Sequence, residues 1–318
     1  VSRPDHRGDG DGWTRCGQGH RHWGLFGAAG LLLQRPAGDS VEILLQHRAE
    51  WSHHGGTWGL LGGARESSET AVQAALREAA EEGGVETGSV SVHGRFDDGH
   101  GGWAYSTVVG TAPAGAGARP TGGESIDVGW FSPTEVTGLP LHPGFSASWP
   151  ALREALRPLT VVVDAANVVG SRPDGWWRDR AGAARRLLAD LAALAADGLP
   201  DGSLPDDLPR AGLRHWWPRV VVVVEGSARA VAGDADDAIV DAARSGPAAG
   251  PAAAGPLVVA APGSGDDAIV DAVVDATATG AAAGGPVLVV TADRELRRRV
   301  AAAGAAVTGP RWLDPFRG

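Results

Sequence analysis

The chain has 318 residues, 43 % apolar and 21 % charged, which suits a soluble globular protein long enough for about two domains with separate cores. Its net charge of −10 argues against broad, non-specific binding to nucleic acid or an anionic membrane. The single Cys16 excludes an internal disulfide, and no signal peptide or apolar run of membrane-spanning length is present, so no membrane partner and a cytoplasmic location are the default expectations. Every permanent cation is arginine, and Ala, Gly and Pro abound, so Ala- and Gly-rich stretches carry little functional weight.

In chain order, residues 1–22 are rich in Gly and Asp and are expected to form a flexible N-terminal segment. Cys16, His20 and His22 stand there at C-x3-H-x-H spacing, but three ligands in such a stretch are weak evidence for zinc. Residues 23–157 read as an α+β domain. Ala28–Gln34 and Val41–Gln46 are expected strands, with Pro36–Asp39 as the turn between them. A glycine-rich loop, Gly55–Gly63, leads to a helix over Glu69–Gly83 that Gly83 and Gly84 terminate. Val90–Phe96, Ala104–Thr111 and Ile126–Phe131 supply further strands, Ala114–Gly123 is a loop, and Trp149–Leu156 reads as a short helix.

The helix carries the chemistry. Glu78, Glu81 and Glu82 lie at i, i+3 and i+4, within about 100° of one helix face. Val72, Ala75, Leu76 and Ala79 form another face that docks the helix and leaves the acids aimed at a cleft. Like charges this close repel unless a cation neutralises them, and an all-oxygen cluster suits a hard ion such as Mg²⁺ or Mn²⁺. The segment from Gly63 to Val85 resembles the signature of the Nudix hydrolases, G-x5-E-x7-R-E-U-x-E-E-x-G-U, with U aliphatic. Gly63, Glu69, Arg77, Glu78, Glu81, Glu82, Gly84 and Val85 match, and Ala79 is a small occupant of the first U position. The resemblance implies an α+β Nudix fold, a mixed sheet with helices and a loop–helix–loop box. It also implies a divalent metal and cleavage of a diphosphate joining a nucleoside to another group. Glu78, Glu81 and Glu82 are then the metal ligands with the backbone carbonyl of Gly62, while Gly63, Glu69 and Arg77 brace the loop–helix–loop. Many relatives carry proline where Leu61 stands, which loosens the loop and leaves the metal site untouched.

Glu124, just ahead of a strand, is a candidate ligand or base by the same resemblance, with a solvated loop carboxylate as the competing reading. Arg48 ends a strand that leads toward the glycine loop and is a candidate phosphate clamp through its forked donors. His53 and His54 are read as solvated loop histidines rather than substrate contacts.

From residue 158 to 318 the style changes. Short apolar runs at Leu159–Val163, Val220–Val224, Leu257–Ala261 and Val287–Val290 alternate with helical segments at Ala181–Ala196, Asp266–Ala276 and Arg294–Ala303. That pattern indicates an α/β domain with a mostly parallel, Rossmann-like sheet covered on both faces. Gly198–Pro209 and Ser245–Gly255 are expected to be flexible, and Asp236–Ala242 echoes Asp266–Ala272. Asp164, Glu225, Asp266, Asp267 and Asp293 fall at strand carboxyl ends, where open α/β sheets bind ligands, although Asp266 and Asp293 also suit helix caps. Asp164 with Asn167, Asp266-Asp267 and Thr291-x-Asp293-Arg294 resembles the NYN/PIN-like metal-dependent ribonucleases. The resemblance implies Asp164, Asp267 and Asp293 as ligands of Mg²⁺ or Mn²⁺, Asn167 and Asp266 in support, and RNA as a partner. Arg294, Arg297, Arg298 and Arg299 suit either a phosphate backbone or a solvated helix face. Trp176-Trp177 and Trp216-Trp217 are read as packing rather than base stacking.

The leading reading is a metal-dependent pyrophosphohydrolase acting on a small nucleotide, fused to an RNase-like domain. The alternative is a regulatory protein in which one or both halves bind nucleotide or RNA without turnover. A homodimer is left open.

Overall fold

A computed structural model of the chain describes residues 8–172, 175–225, 255–261, 264–278 and 284–316. Backbone contacts divide these into two compact units. The first holds the described residues up to Leu156 together with Ala211–Arg214, and the second holds the remainder.

The first unit opens with a hairpin, β1 (Trp13–Arg15) and β2 (Arg21–Trp23), inside the stretch whose composition suggests flexibility. Trp13 and Trp23 pair across it edge to face at 5.5 Å, a cross-strand contact that steadies a short ribbon. A mixed sheet follows, built from β3 (Ala28–Ala37), β4 (Ser40–Arg48), β5 (Trp58–Gly59), β6 (Leu61–Ala64), β7 (Ser91–Gly99), β8 (Ala104–Thr111) and β9 (Ser125–Phe131). The strands run β7-β8-β3-β4-β5, with β6 also on β3 and β9 also on β4. The β3–β8 pair is parallel, whereas β3–β4, β3–β6, β4–β5, β4–β9 and β7–β8 are antiparallel. The turn between β3 and β4 is tighter than expected: Ala37 pairs Ser40, and Gly38 at φ +59° makes the reversal. Pro36 stays in the strand because β3 pairs with β8 only as far as Gln34, leaving one side of the ladder undemanding there.

Helix α1 (Ala71–Gly83) starts on a reciprocal cap between Thr70 and Gln73 and ends on Gly84, whose φ of 57° suits glycine. Its Ala71, Ala74, Ala75 and Ala79 pack on Leu31, Leu33, Leu61 and Val108, with Val72 and Leu76 half-buried against the same core. Small residues let the helix backbone approach the sheet closely. Two more helices follow, α2 (Pro133–Gly138) and α3 (Pro143–Ala155). The last begins well before the expected Trp149, because Pro150 resembles a helix start while Pro143 is the actual first-turn proline.

The second unit carries β10 (Thr160–Asp164), α4 (Ala165–Gly170), α5 (Arg180–Asp197), β11 (Leu199–Pro200), β12 (His215–Trp216), β13 (Arg219–Val224), β14 (Leu257–Ala260), α6 (Gly265–Ala278), β15 (Val287–Val290), α7 (Arg294–Ala302) and β16 (Ala306–Thr308). Its main sheet has the order β14-β13-β10-β15-β16, with every pair parallel. Successive residues Val161, Val162 and Val163 are all buried, so both faces of the central strand are covered. Gly198–Pro209 is ordered rather than flexible: Leu199 enters an antiparallel pair with Trp216, and Leu204 and Leu208 are buried. The Asp236–Ala242 half of the sequence echo, and residues 245–254, lie outside the described residues. Among the described residues no helix is long and apolar enough to cross a membrane.

Candidate functional site

The glycine loop and α1 bring together the acids of the first unit. Glu82 is buried, and its Oε2 accepts from the Gly62 N–H and from Gln46 Nε2, both at 3.0 Å. Gln46 is itself fixed by donating to the Leu60 carbonyl at 2.9 Å and accepting from Ser125 Oγ at 2.6 Å. Gln46 escaped the sequence reading, yet a glutamine in an otherwise apolar strand run was its signal. Glu78 lies against Gly63, where an added Cβ would stand 2.5 Å from Glu78 Oε1. A larger residue there would push that carboxylate aside. Arg77 grips Glu69 with two donors at 2.7 and 3.0 Å, reaches the Ala64 carbonyl at 3.0 Å, and touches Glu78 at 2.8 Å and Glu81 at 3.2 Å. Loop and helix are thereby tied by one guanidinium.

The electrostatics follow from burial. Removal from water, partly offset by Arg77, pushes the Glu78 carboxyl up to about 7, with Glu81 and Glu124 adding repulsion. Burial pushes Glu82 up to about 8, and repulsion from Glu78 and Glu124 adds to it against the Gly62 hydrogen bond. Glu81 is largely exposed, and Glu124 is exposed but close enough to act on both Glu78 and Glu82. Arg48, whose Nε donates to the His53 carbonyl at 3.2 Å, is the cation acting on Glu82. His53 and His54 gather with His142, a residue the sequence reading passed over, their ligand atoms within 4.8 Å of one another. Burial and Arg48 hold His142 down to about 4, which makes it a neutral ring beside the loop.

The second unit's acids meet at the carboxyl ends of its strands. Asp164 Oδ1 accepts from the Asn167 N–H at 3.0 Å, and its Oδ2 accepts from Thr291 Oγ1 at 2.8 Å. Asn167 Oδ1 takes the Ala292 N–H at 3.0 Å, joining two strand ends. Asp293 caps α7 through the Leu296 N–H at 2.8 Å, so the helix-cap reading holds for one of its oxygens. Glu225 accepts from the Gly265 N–H at 3.0 Å, and Asp267 is engaged by Arg299 at 2.6 Å. Burial raises Asp164 above the ordinary carboxylate range, with repulsion from Asp266 and Glu225. Burial also raises Asp266, with repulsion first from Asp293 and later from Glu225 and Asp267. Among the described residues no three carboxylates in either unit close to within 4.8 Å of one another. Trp216 is buried with Nε1 on Asp201 at 3.2 Å, whereas Trp177 is exposed with Arg178 at 6.0 Å from its ring centre.

The donor set of the first unit fits a hard divalent ion. A buried carboxylate, Glu82, and a half-buried one, Glu78, share one ridge and repel, and the hydrogen-bond donors to Glu82 are neutral. A family profile described as "NUDIX domain" matches residues 25–154. The "Putative 8-oxo-dGTP diphosphatase 3" of Mycobacterium tuberculosis is 49% identical over 164 residues, covering 49% of this chain and 73% of that protein. The chain belongs to the Nudix family. A "Nucleoside triphosphate pyrophosphatase/Nudix hydrolase fusion protein" of Bifidobacterium longum is 37% identical over 155 residues, 47% of this chain and 32% of that protein. Among solved structures, the Nudix hydrolase RenU of M. smegmatis is 45% identical and covers 46% of this chain and 94% of its own, with a TM-score of 0.43. The Nudix box thus occupies the first unit, on a mixed sheet with helices, and an all-parallel sheet with helices follows it.

Proposed function

We propose that residues 23–157 form a divalent-metal-dependent pyrophosphohydrolase that cleaves a nucleoside triphosphate or a related nucleoside diphosphate derivative. The observation that carries this reading is the buried Glu82, held by Gly62 and Gln46 on the same helical ridge as Glu78. Glu78, Glu81, Glu82 and the Gly62 carbonyl would hold Mg²⁺ or Mn²⁺, and Glu124 would complete the set as ligand or proton acceptor. A divalent ion bound there lowers the pKa of its water and neutralises the phosphoryl oxygens of the substrate. Arg48 orients a phosphate from the loop side, and Arg77 with Glu69 keeps the ridge and the glycine loop in register. The name of the M. tuberculosis relative makes oxidised dGTP the first nucleotide to try. The test is phosphate or pyrophosphate release from a panel of ordinary and oxidised nucleoside triphosphates with Mg²⁺. Metal-dependent release from at least one of them is expected, and none from any would remove the reading.

For residues 158–318 we propose a NYN/PIN-like nuclease site at the acidic rim, with Asp164, Asp266, Asp267 and Asp293 toward Mg²⁺ or Mn²⁺ and Asn167 toward RNA. Its support is the mutual repulsion of Asp164, Asp266, Asp293 and Glu225 at one sheet edge. Single-stranded RNA incubated with Mn²⁺ should be cut by the wild type and spared by Asp164→Asn. Binding without cleavage in both would favour the regulatory alternative for this half.

A further inference from the structure

The hairpin at the start of the first unit places metal-ligand side chains on one face. Successive residues of an extended chain alternate faces, so His22 of β2 and His20, one residue ahead of the strand, share a side. The antiparallel register, Arg15 opposite Arg21, brings Cys16 opposite His20. The Cys16 N–H donates to the His20 carbonyl at 3.0 Å, and Gly19, at φ +83°, turns the chain and donates to the Cys16 carbonyl at 2.9 Å. The C-x3-H-x-H spacing is thus the spacing of a turn that folds three ligands together. A fourth comes from far along the chain. His100 lies in the connection between β7 and β8, which is latched to the hairpin by the Gly17 N–H donating to the Gly101 carbonyl at 2.6 Å. One ligand atom from each of Cys16, His20, His22 and His100 lies within 4.8 Å of the others.

We propose that Cys16, His20, His22 and His100 form a structural zinc site. Two independent features favour an ion over plain packing. His22 Nε2 and His100 Nδ1 are shut off from solvent and have no hydrogen-bond partner, which a buried ring nitrogen rarely tolerates. The outer shell is also in place. His100 Nε2 sits 3.3 Å from Asp98 Oδ2, the carboxylate–histidine arrangement that fixes the tautomer of a ligating ring. Trp103 stacks on His22 at 4.0 Å and 11°, and its Nε1 donates to the Gly24 carbonyl at 2.9 Å, which sets the ring's orientation. One thiolate with three imidazoles is a closed tetrahedral set of borderline-soft donors, which selects zinc over the magnesium suited to the glutamate ridge. Tetrahedral ligands at zinc stand about 3.3–3.8 Å apart, so side-chain rotations of about 1 Å complete the geometry. Binding takes the proton from the Cys16 thiol and releases it to solvent. The ion would pin the hairpin to the β7–β8 connection, far along the chain, beside the Gly17–Gly101 hydrogen bond.

The test is metal analysis of the full chain purified from zinc-supplemented medium, read independently of hydrolysis. About one zinc per chain is expected in the wild type and in Glu82→Gln and His142→Ala. Cys16→Ser and His100→Ala should each lower the content by about tenfold or more. Cobalt replacement in the wild type supplies a measurement that needs no variant to fold: it should give tetrahedral absorption with a thiolate charge-transfer band. An octahedral cobalt spectrum, absence of stoichiometric zinc, or zinc that Cys16→Ser and His100→Ala leave unchanged would each overturn the proposal. So would zinc lost in His142→Ala and kept in His100→Ala.

Discussion

Glu82→Gln should lower Mg²⁺-dependent nucleotide hydrolysis by about three orders of magnitude, or ~4 kcal/mol of transition-state stabilisation, while the fold persists. The reasoning starts from what the amide keeps. A glutamine at this position retains an oxygen to accept from the Gly62 N–H and Gln46 Nε2, so the loop and strand around it stay satisfied. What disappears is one negative charge on the ridge that would hold the cation. Glu78→Gln should act similarly, because Glu78 is half-buried against the glycine loop. Glu81→Gln should cost less, since its side chain is largely exposed and makes only a long contact with Arg77. Product release at saturating Mg²⁺, paired with thermal unfolding to show that each variant folds, separates charge from scaffold. Glu82→Gln retaining activity within about tenfold of the wild type would remove the glutamate ridge from the chemistry.

The acid ridge was legible because it is local: residues three and four apart on a helix are neighbours whatever the tertiary structure does. The same holds for the parallel sheet of the second unit, since runs such as Val161–Val163 and Val220–Val224 are apolar throughout and admit few other readings. What stayed hidden needs long-range pairing. Ser125 reaches Gln46, and through it Glu82, only because β4 lies beside β9. His142 joins His53 and His54 from the start of α3, and no spacing rule links residues so far apart. His100 is the sharpest case: Cys16, His20 and His22 carry little weight until the β7–β8 connection supplies the fourth donor. Composition misled twice. A Gly/Asp-rich start contains a hairpin, and Gly198–Pro209 is held by buried Leu204 and Leu208, because a few apolar anchors outweigh many loop-forming residues.

In metal-free buffer the stability of the wild type relative to Glu82→Gln should fall as pH rises from about 5 to about 8. Unfolded, Glu78 and Glu82 titrate at the ordinary 4.5, whereas burial and mutual repulsion raise them to about 7 and about 8 in the native chain. Between those limits the native state holds protons that the unfolded state has released, so each step up in pH disfavours folding. Raised carboxylates thus act opposite to a salt-bridged acid such as Glu69, which Arg77 holds below its usual range and which stabilises the fold at neutral pH. At roughly 1.4 kcal/mol for each tenfold change in proton affinity, Glu82 alone sets a ceiling of about 4–5 kcal/mol, and relaxation around the charge reduces it to about 2–3 kcal/mol. Glu82→Gln should therefore match the wild type near pH 5 and exceed it by roughly 5–10 °C in Tm near pH 8. Comparing the two proteins cancels the contributions of Asp164 and Asp266, which are raised in both. Mg²⁺ or Mn²⁺ at saturating concentration should reverse the order at pH 8, because the ion binds the ionised native ridge and gains little from the variant. Thermal melts across this pH range, in chelator and in Mg²⁺, decide it: a gap between the two proteins that stays constant with pH would mean that Glu82 is not buried as a carboxylate in the native protein.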